Sequence, residues 1–559
     1  MKNLKNIFST FCCTVLAFGS TKAQSNVDTL PQLDEVSIVK AYEPILISSN
    51  KVPFAPNLPN IVKAKPDAQQ YQYSDVKGKI DYQPEEIKPI KSAGKKPEKN
   101  QFFYAKIGFG YPVAPLLKLI LTNPVQNNYR AGLDVDFMMT IHNKPKFQNY
   151  TDLKIRGFGE YFIKKKAAIG GDFFYRLNQH NFYGYSDIVF TKDSLKTNYN
   201  RFGGSVKLRG IEDAAYYYSG ELNFNTVKNK NIFHAPKEFT INVNADGGYT
   251  IKSNYTIGGK INLTNVSYKD DTVFLGNQNH FTFQAIPYAK IKFKIWQLTA
   301  GPNIFSTNRR FYVLPEIINQ LQIYKDYLVM YNEWRTQVKI NSMYNLSLEN
   351  PFIVTSNYNN SIDETRTIIG LRGSIKGFGY DFRFSHLRSR MNAQFVNTTQ
   401  FITGEDMAMD VQSVASLSAW NPHFGISYNK GNQFGAKAWF DYFVYNKNTA
   451  TELSYIPTFK YGFSAFYNWK DKLYVNMDIS GQSKVKGVQI NNNEFPPFVT
   501  TTLHPLKGLI DVNLSANYFI TKNIGVFVDV NNLGFQKWPR FYKYPTYQFQ
   551  VIGGVKLAF

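Results

Sequence analysis

The feature that most constrains the fold is a strict alternation of apolar and polar side chains that recurs along residues 101–559. Apolar side chains occupy every second position of Phe281–Ile295, and mostly polar side chains lie between them. The same pattern is found in Tyr255–Thr264 and in Ile510–Tyr518. A period of two residues is typical of β-strands that have one apolar face.

The connections between these strands alternate between short and long. Short turns include Lys164-Lys165-Lys166 and Lys470-Asp471-Lys472, whereas Asn178–Asn200 and Asn397–Leu417 are long and polar. Short turns at one end and long loops at the other are typical of an up-and-down barrel. The pattern therefore predicts an all-β fold, a large antiparallel transmembrane β-barrel of about 22 strands, within a range of roughly 18–26.

The predicted size of the barrel decides which face meets lipid. A soluble sandwich or propeller would alternate too, but a barrel of 16 or more strands has a lumen too wide for side chains to fill. Its polar set must then face the lumen and its apolar set must face outward. An outward apolar belt is stable only in lipid, where closure of the sheet also satisfies every backbone amide.

The N-terminus carries an export signal. Lys2 and Lys5 precede a short apolar run, Ile7–Phe18, and Thr21-Lys22-Ala23 supplies small residues for cleavage near Ala23 or Gln24. We predict a signal peptide over residues 1–24, and together with the barrel pattern it predicts the outer membrane of a Gram-negative bacterium. No later stretch is apolar enough for a transmembrane helix.

A segment of different character separates the signal from the barrel. Residues 26–100 hold nine of the 25 prolines, which disfavour regular helix and sheet. We interpret residues 25–100 as an extended periplasmic or lumen-lying segment, with a disordered linker as the open alternative. The barrel would then occupy residues 101–559.

The formal net charge of +23 favours an anionic partner. No basic helix, finger or aromatic–basic motif accompanies it, so nucleic acid is not expected. Outer-membrane lipid and lipopolysaccharide are the expected partners. Inward lysines such as Lys154 and Lys260 would favour anions, but inward acids such as Asp136 and Glu221 are expected to balance them.

The last strand is predicted to carry a signal for the barrel-assembly machinery. Aromatic or aliphatic residues stand at alternate positions up to the C-terminal aromatic residue; they are Tyr547, Phe549, Val551, Val555, Leu557 and Phe559. An ordinary last strand is the alternative, and the terminal aromatic residue favours the assembly signal.

Two stretches resemble TonB-dependent outer-membrane receptors. The segment Val528–Leu533, followed by Trp538, Tyr544-Pro545 and the last strand, is similar to the closing strands of that family. A second stretch resembles the box that such receptors offer to TonB by strand addition; it comprises Leu33, Asp34, Glu35, Val36, Ser37, Ile38 and Val39. An ordinary extended apolar stretch is the alternative for the second.

The sequence departs from that family between the box and the barrel. Only residues 41–100 separate the two, too few for a globular plug domain. The resemblance is therefore to a plugless, receptor-like or porin-like barrel. It implies solute transport across the outer membrane, with TonB or a surface lipoprotein as partner. A non-conducting barrel that anchors a partner in an envelope complex is the alternative.

No motif for catalysis is found. The seven histidines show no metal-binding spacing, and adjacent carboxylates such as Glu85-Glu86 point to opposite faces of a strand or into solvent. No nucleophile elbow or phosphate-binding loop occurs in context. We expect no enzyme activity, no catalytic residue, no metal and no cofactor.

Overall fold

A computed structural model describes most of the chain after residue 101. The described ranges are 102–123, 128–142, 144–164, 166–184, 191–211, 215–231, 235–270, 277–354, 361–398, 408–447, 452–494 and 498–559. The predicted signal peptide, residues 25–100 and the TonB-box-like stretch lie outside the described residues.

The described residues form 27 strands and one short helix. The first thirteen strands are β1 Phe103–Tyr111, β2 Leu116–Thr122, β3 Tyr129–His142, β4 Gln148–Ile163, β5 Ala167–Asn181, β6 Lys196–Gly210, β7 Tyr216–Lys230, β8 Lys237–Ile251, β9 Tyr255–Lys269, β10 Asn277–Lys292, β11 Trp296–Thr307, β12 Arg310–Tyr324 and β13 Leu328–Ile340. The remaining elements are α1 Met343–Glu349, β14 Ser361–Ile375, β15 Phe378–Thr398, β16 Ala408–Lys430, β17 Phe434–Tyr442, β18 Val444–Lys447, β19 Phe459–Trp469, β20 Leu473–Gln482, β21 Val485–Glu494, β22 Phe498–Leu506, β23 Leu509–Phe519, β24 Ile524–Asn531, β25 Pro539–Phe541, β26 Tyr544–Pro545 and β27 Gln550–Ala558.

The strands close into a barrel. β1 pairs antiparallel with β27, from Tyr104 opposite Ala558 to Tyr111 opposite Val551. β20 pairs directly with β23, so the β21–β22 hairpin lies outside the wall. β18 pairs with β16 beyond the end of β17 and counts with β17 as one strand of the wall. The two-stranded sheet β25–β26 also lies outside the wall. The closed barrel has 22 antiparallel strands, which confirms the predicted fold class.

The two ends of the barrel differ. β1 begins and β27 ends at the same end of the barrel. This end also carries the short turns, such as 164–166 and 470–472, and we call it the turn end. The opposite end, the loop end, carries the long connections, including 341–360 and 483–508. In outer-membrane barrels short turns face the periplasm and long loops face outside.

The outer face is apolar and the inner face is polar, as predicted. Ile107, Phe109 and Tyr111 of β1 are 52%, 63% and 63% exposed, whereas Lys106, which precedes Ile107, is 3% exposed. Exposed aromatic side chains also lie beside the turns, among them Tyr249 and Trp469. Water would penalise such a surface and a hydrocarbon layer stabilises it, so the barrel is an outer-membrane barrel.

The rim of the loop end is uneven. β15 and β16 are 21 and 23 residues long, about twice the 9–11 residues that a strand needs to cross a bilayer. β11 and β12 are instead joined by a turn of only Asn308-Arg309. Strands therefore continue into stretches that we predicted as loops, because these extensions pack against each other beyond the membrane.

Candidate functional site

Buried aromatic and aliphatic side chains from distant loops meet over the loop end of the barrel. They come from the connections 182–195, 341–354 and 532–549 and from the outer parts of β15 and β16, and we call this assembly the cap. The ring of Phe352 stacks on that of Tyr544, and the Tyr183 ring lies edge-on to both, at 5.6 and 5.0 Å. The cap is thus a packed apolar layer across the mouth.

Helix α1 is held in the cap by polar contacts at its start. Ser342 is the N-cap, and its hydroxyl accepts a hydrogen bond from the Asn345 amide at 3.1 Å. The buried Glu238 carboxylate of β8 accepts hydrogen bonds from the amides of Met343 and Tyr344. A carboxylate at this position satisfies helix donors that have no partner within the helix.

A buried arginine fixes the other side of the helix. Arg201 of β6 is 1% exposed, donates to the Ser347 hydroxyl at 2.7 Å and donates to the Asn178 side chain. Its guanidinium lies over the rings of Tyr199 and Tyr344 at 5.0 and 5.7 Å. These contacts tie Ser347 and Tyr344 of α1 to the wall at β6.

Asn532 organises the connection between β24 and β27. Its backbone is left-handed, with a φ of 52°, a conformation that asparagine tolerates better than most residues. Its side-chain nitrogen donates to the carbonyls of Gln536 at 2.7 Å and Tyr547 at 3.1 Å, and also to Gln548. This closes the chain into a compact loop that carries β25 and β26 into the cap.

The residues on which the family resemblance rests meet in this loop. The Trp538 indole donates to the Lys507 carbonyl at 3.0 Å. The Pro545 carbonyl accepts from the Gln148 side chain at 2.6 Å and from the Tyr183 hydroxyl at 3.0 Å. Burial raises the pKa of Tyr183 to about 12, so its phenol stays protonated and donates at neutral pH.

A cavity of about 1170 Å³ lies in the lumen below the cap. Phe352, Phe541 and Tyr544 contribute apolar surface on the cap side, and Arg540 of the cap also lines it. Side chains of β1–β5 line one part of the wall, and side chains of β16–β27 line another. The volume exceeds the range of about 300–1,000 Å³ that is usual for small-molecule sites.

Three ion pairs lie in the cavity wall. Lys106 and Asp529 are 2.6 Å apart, and Lys118 and Asp136 are 3.2 Å apart. Arg176 donates two hydrogen bonds to the Asp152 carboxylate, at 2.9 and 2.8 Å. Such pairs leave a polar wall without a strong field of either sign.

Charged side chains elsewhere in the lumen also form ion pairs. Lys207 pairs with Glu221 at 2.9 Å and Arg209 with Glu160 at 2.7 Å, as the predicted balance of charges requires. Arg156 pairs with Asp172 at 3.0 Å, and Lys260 lies 3.9 Å from Asp246. Asp172 and Asp246 were not among the acids that sequence reasoning singled out.

The residues of the predicted assembly signal fall into two groups. Val551, Val555 and Leu557 share the outward face of β27, and the Phe559 ring lies 6.1 Å from that of Phe103. Tyr547 and Phe549 precede the strand. The Tyr547 ring lies 5.8 Å from His142, and the Phe549 ring stacks on Phe535 at 4.5 Å.

The predicted TonB-box-like residues, Leu33–Val39, lie outside the described residues. Sequence reasoning missed α1, Glu238 and Arg201. A helix signal was present, because Ser342 precedes a short stretch without period-two alternation. Glu238 and Arg201 gave no signal, since each stands at an ordinary position of a strand.

Within the described ranges, no group of three or more His, Cys, Asp or Glu side chains is arranged to hold a metal ion. Helix α1 has seven residues, and no described helix is long and apolar enough to span a bilayer.

Comparison with known proteins finds likeness in structure alone. No protein-family model matches the sequence, and no curated protein matches it. Among solved structures, the FrpB iron transporter from Neisseria meningitidis is 10% identical, with a TM-score of 0.63 over 83% of this chain and 82% of that chain.

Two further structures are similar. The siderophore receptor PirA from Acinetobacter baumannii is 10% identical, with a TM-score of 0.63 over 82% of this chain and 80% of that chain. FpvA of P. aeruginosa, solved with ferric pyoverdines, is 12% identical, with a TM-score of 0.59 over 83% and 72%. The chain therefore has the fold of the 22-strand barrels of TonB-dependent outer-membrane receptors.

Proposed function

We propose that the chain transports a solute across the outer membrane, and that the cap narrows the mouth of the channel without closing it. The observation that carries the proposal is the cavity of about 1170 Å³ that lies between the cap and the polar wall of the lumen. A barrel that serves only as an anchor has no need of such a compartment. The volume suits one ligand of drug size or larger.

The chemistry of the cavity favours a large, partly apolar solute. Phe352, Phe541 and Tyr544 offer aromatic surface, and Arg540 and Arg176 offer donors in the same space. FrpB is an iron transporter and PirA a siderophore receptor by name. An organic iron chelate is thus the first ligand class to test, and an aromatic one would pack against the aromatic part of the cavity lining.

We further propose that residues 25–100 act as a tether or partial obstruction in place of a globular plug domain. Two observations support this role. The segment is too short for a globular plug domain, and β1, which follows it, begins with Phe103 at the turn end. Leu33–Val39 would pair with TonB by strand addition, and force on that stretch would release the obstruction. The terminal strand, with Val555, Leu557 and Phe559, would be recognised by the barrel-assembly machinery.

The test compares three versions of the full-length protein in proteoliposomes. The first is the unmodified chain, the second lacks residues 25–100, and the third keeps that segment but has Gly-Ser repeats in place of Leu33–Val39. We expect faster solute entry for the second version alone. In cells, the third version should lose energised uptake while its abundance stays unchanged.

The alternative function predicts a different result. If the barrel only anchors a partner, none of the three versions will admit solute, and the version without residues 25–100 will lose a co-purifying envelope protein instead. That result would contradict the transport proposal.

A further inference from the structure

Five tight turns at the turn end place a lysine where the backbone is left-handed. The residues are Lys164, Lys252, Lys325, Lys376 and Lys470, with φ values of 45°, 49°, 45°, 49° and 52°. We call these five residues the turn lysines. All five are exposed, and their turns are spread around the wall from β4–β5 to β19–β20.

Lysine is an unfavourable choice at these positions. Left-handed backbone crowds the Cβ atom of an L-residue, and Gly, Asn and Asp are the residues that tight hairpin turns prefer there. The two-residue turn at the loop end places Asn308, with a φ of 49°, at its first position and Arg309, with a φ of 61°, at its second. Repeated departure from a local rule is expected where a position serves a function.

The turn lysines are not used to hold the barrel together. None of the ion pairs within the described residues includes one of them. The aspartates in the same turns have other partners, since Asp326 accepts from the Gln322 side chain at 2.8 Å and Asp471 from the Asn468 side chain at 2.7 Å. The ammonium groups therefore project from the rim without a salt bridge to any described residue, and Asp326 and Asp471 keep their negative charge beside Lys325 and Lys470.

Aromatic side chains fix the depth of these charges in the membrane. Tyr249 and Tyr255 flank the turn of Lys252, and Trp469, 47% exposed, immediately precedes Lys470. The Lys470 ammonium lies 5.6 Å from the Trp469 ring. Tyrosine and tryptophan belts lie at the level of the lipid head groups, so lysines just beyond the belt reach the phosphates.

We propose that the turn lysines form a collar that binds the phosphates of anionic phospholipids in the periplasmic leaflet. The collar goes beyond the proposed transport function and does not depend on it. Each lysine near an anionic membrane surface adds to the electrostatic attraction between the protein and the membrane, and salt screens that attraction. The turns thus carry a residue that is less favourable for their backbone conformation. The resulting ring of positive charge fixes the depth and tilt of the barrel in the membrane.

Quenching of tryptophan fluorescence by brominated lipids tests the collar, because Trp469 lies beside it. The full-length protein is reconstituted in phosphatidylcholine bilayers that contain either brominated phosphatidylglycerol or brominated phosphatidylcholine in equal amounts. We expect stronger quenching by the brominated phosphatidylglycerol, and we expect the difference to disappear at high salt. Equal quenching by the two lipids would overturn the proposal whatever the variants do.

A variant with all five turn lysines changed to asparagine separates charge from folding. Asparagine suits left-handed backbone, so this variant should be at least as heat-stable as the unmodified protein in a neutral detergent. Its preference for phosphatidylglycerol should fall roughly tenfold or more, since each lysine near the surface contributes to the attraction.

The matched control changes five exposed loop-end lysines, Lys144, Lys146, Lys192, Lys228 and Lys230, to asparagine and removes the same charge. It should keep the lipid preference. Equal loss in both variants would assign the effect to net charge and overturn the collar. An unchanged lipid preference, with loss of a co-purifying acidic protein from the turn variant alone, would overturn it in favour of a protein partner.

Discussion

The rings of Phe352 and Tyr544 are stacked, with their centroids 3.8 Å apart and their planes 17° from parallel. The contact joins the connection between β13 and β14 to that between β24 and β27, which leave the wall at different places. If the cap narrows the mouth, this stack is one of the contacts that hold it together.

Changing Phe352 and Tyr544 together to alanine should widen the channel. Loss of a buried aromatic side chain costs roughly 3–5 kcal/mol in a packed core, which is enough to loosen a layer formed by loops. We expect larger and more frequent conductance steps in planar bilayers. Phe173→Ala, on the lipid face, is the control and should conduct like the unmodified protein. A double variant that conducts like the unmodified protein would argue against narrowing of the channel by the cap.

Glu238→Gln should loosen helix α1. Its two oxygens accept from two helix amides, whereas glutamine has one acceptor oxygen, and a buried donor left without a partner costs roughly 1–3 kcal/mol. We expect the amides of Met343–Glu349 to exchange hydrogen about tenfold faster or more, as measured by mass spectrometry. Glu221→Gln, which breaks the pair with Lys207 on the wall, should leave α1 unchanged. Exchange that is the same in both variants would mean that other contacts hold the helix.

The seam between β1 and β27 depends on a glycine. A Cβ atom at Gly554 would lie 1.9 Å from the Ile107 carbonyl oxygen, whereas one at Gly553 would meet nothing closer than 3.7 Å. Gly554→Ala should therefore reduce the fraction that closes into a barrel, and Gly553→Ala should not. The shift in gel mobility between unheated and heated samples measures this fraction. Equal closure of both variants would show that the seam tolerates a side chain.

Asp529→Asn should destabilise the same seam from the lumen. Asp529 pairs with the buried Lys106 at 2.6 Å, and the Lys106 ammonium also lies 4.0 Å from the Phe527 ring. Breaking a buried pair from one side costs roughly 3–5 kcal/mol because the other charge is left uncompensated. Urea unfolding in lipid vesicles, followed by tryptophan fluorescence, should show the loss. Asp246→Asn is the control, since Lys260 lies 3.9 Å away and half-exposed, and it should change little.

The wall of the barrel was predictable because the pattern that specifies each strand lies within that strand and the turns beside it. Alternation places each side chain on one face, and the lengths of turns such as Lys164–Lys166 and Lys470–Lys472 give the direction of each strand. The same rule was misleading at Tyr547 and Phe549, which keep the period of β27 but belong to the loop before it. Asn532 holds that loop in place through backbone contacts that no period reveals.

The cap was not predictable, because its contacts join residues that are far apart in sequence. Glu238 and Arg201 look like ordinary polar residues of β8 and β6 until their contacts with α1 are known. Phe352 and Tyr544 stand in connections with no regular pattern. Whether two loops meet over the mouth depends on the curvature of the whole wall, which no single stretch of sequence carries.

The unequal height of the outer rim makes approach to the barrel directional. Beside β15 and β16 the strands continue well past the bilayer and shield the cap from that side. At Asn308-Arg309 the wall ends in a two-residue turn, so among the described residues the rim is lower there than at β15 and β16. A small solute can reach the mouth from any direction, but a bulky binder such as an antibody meets it from the side of this turn first.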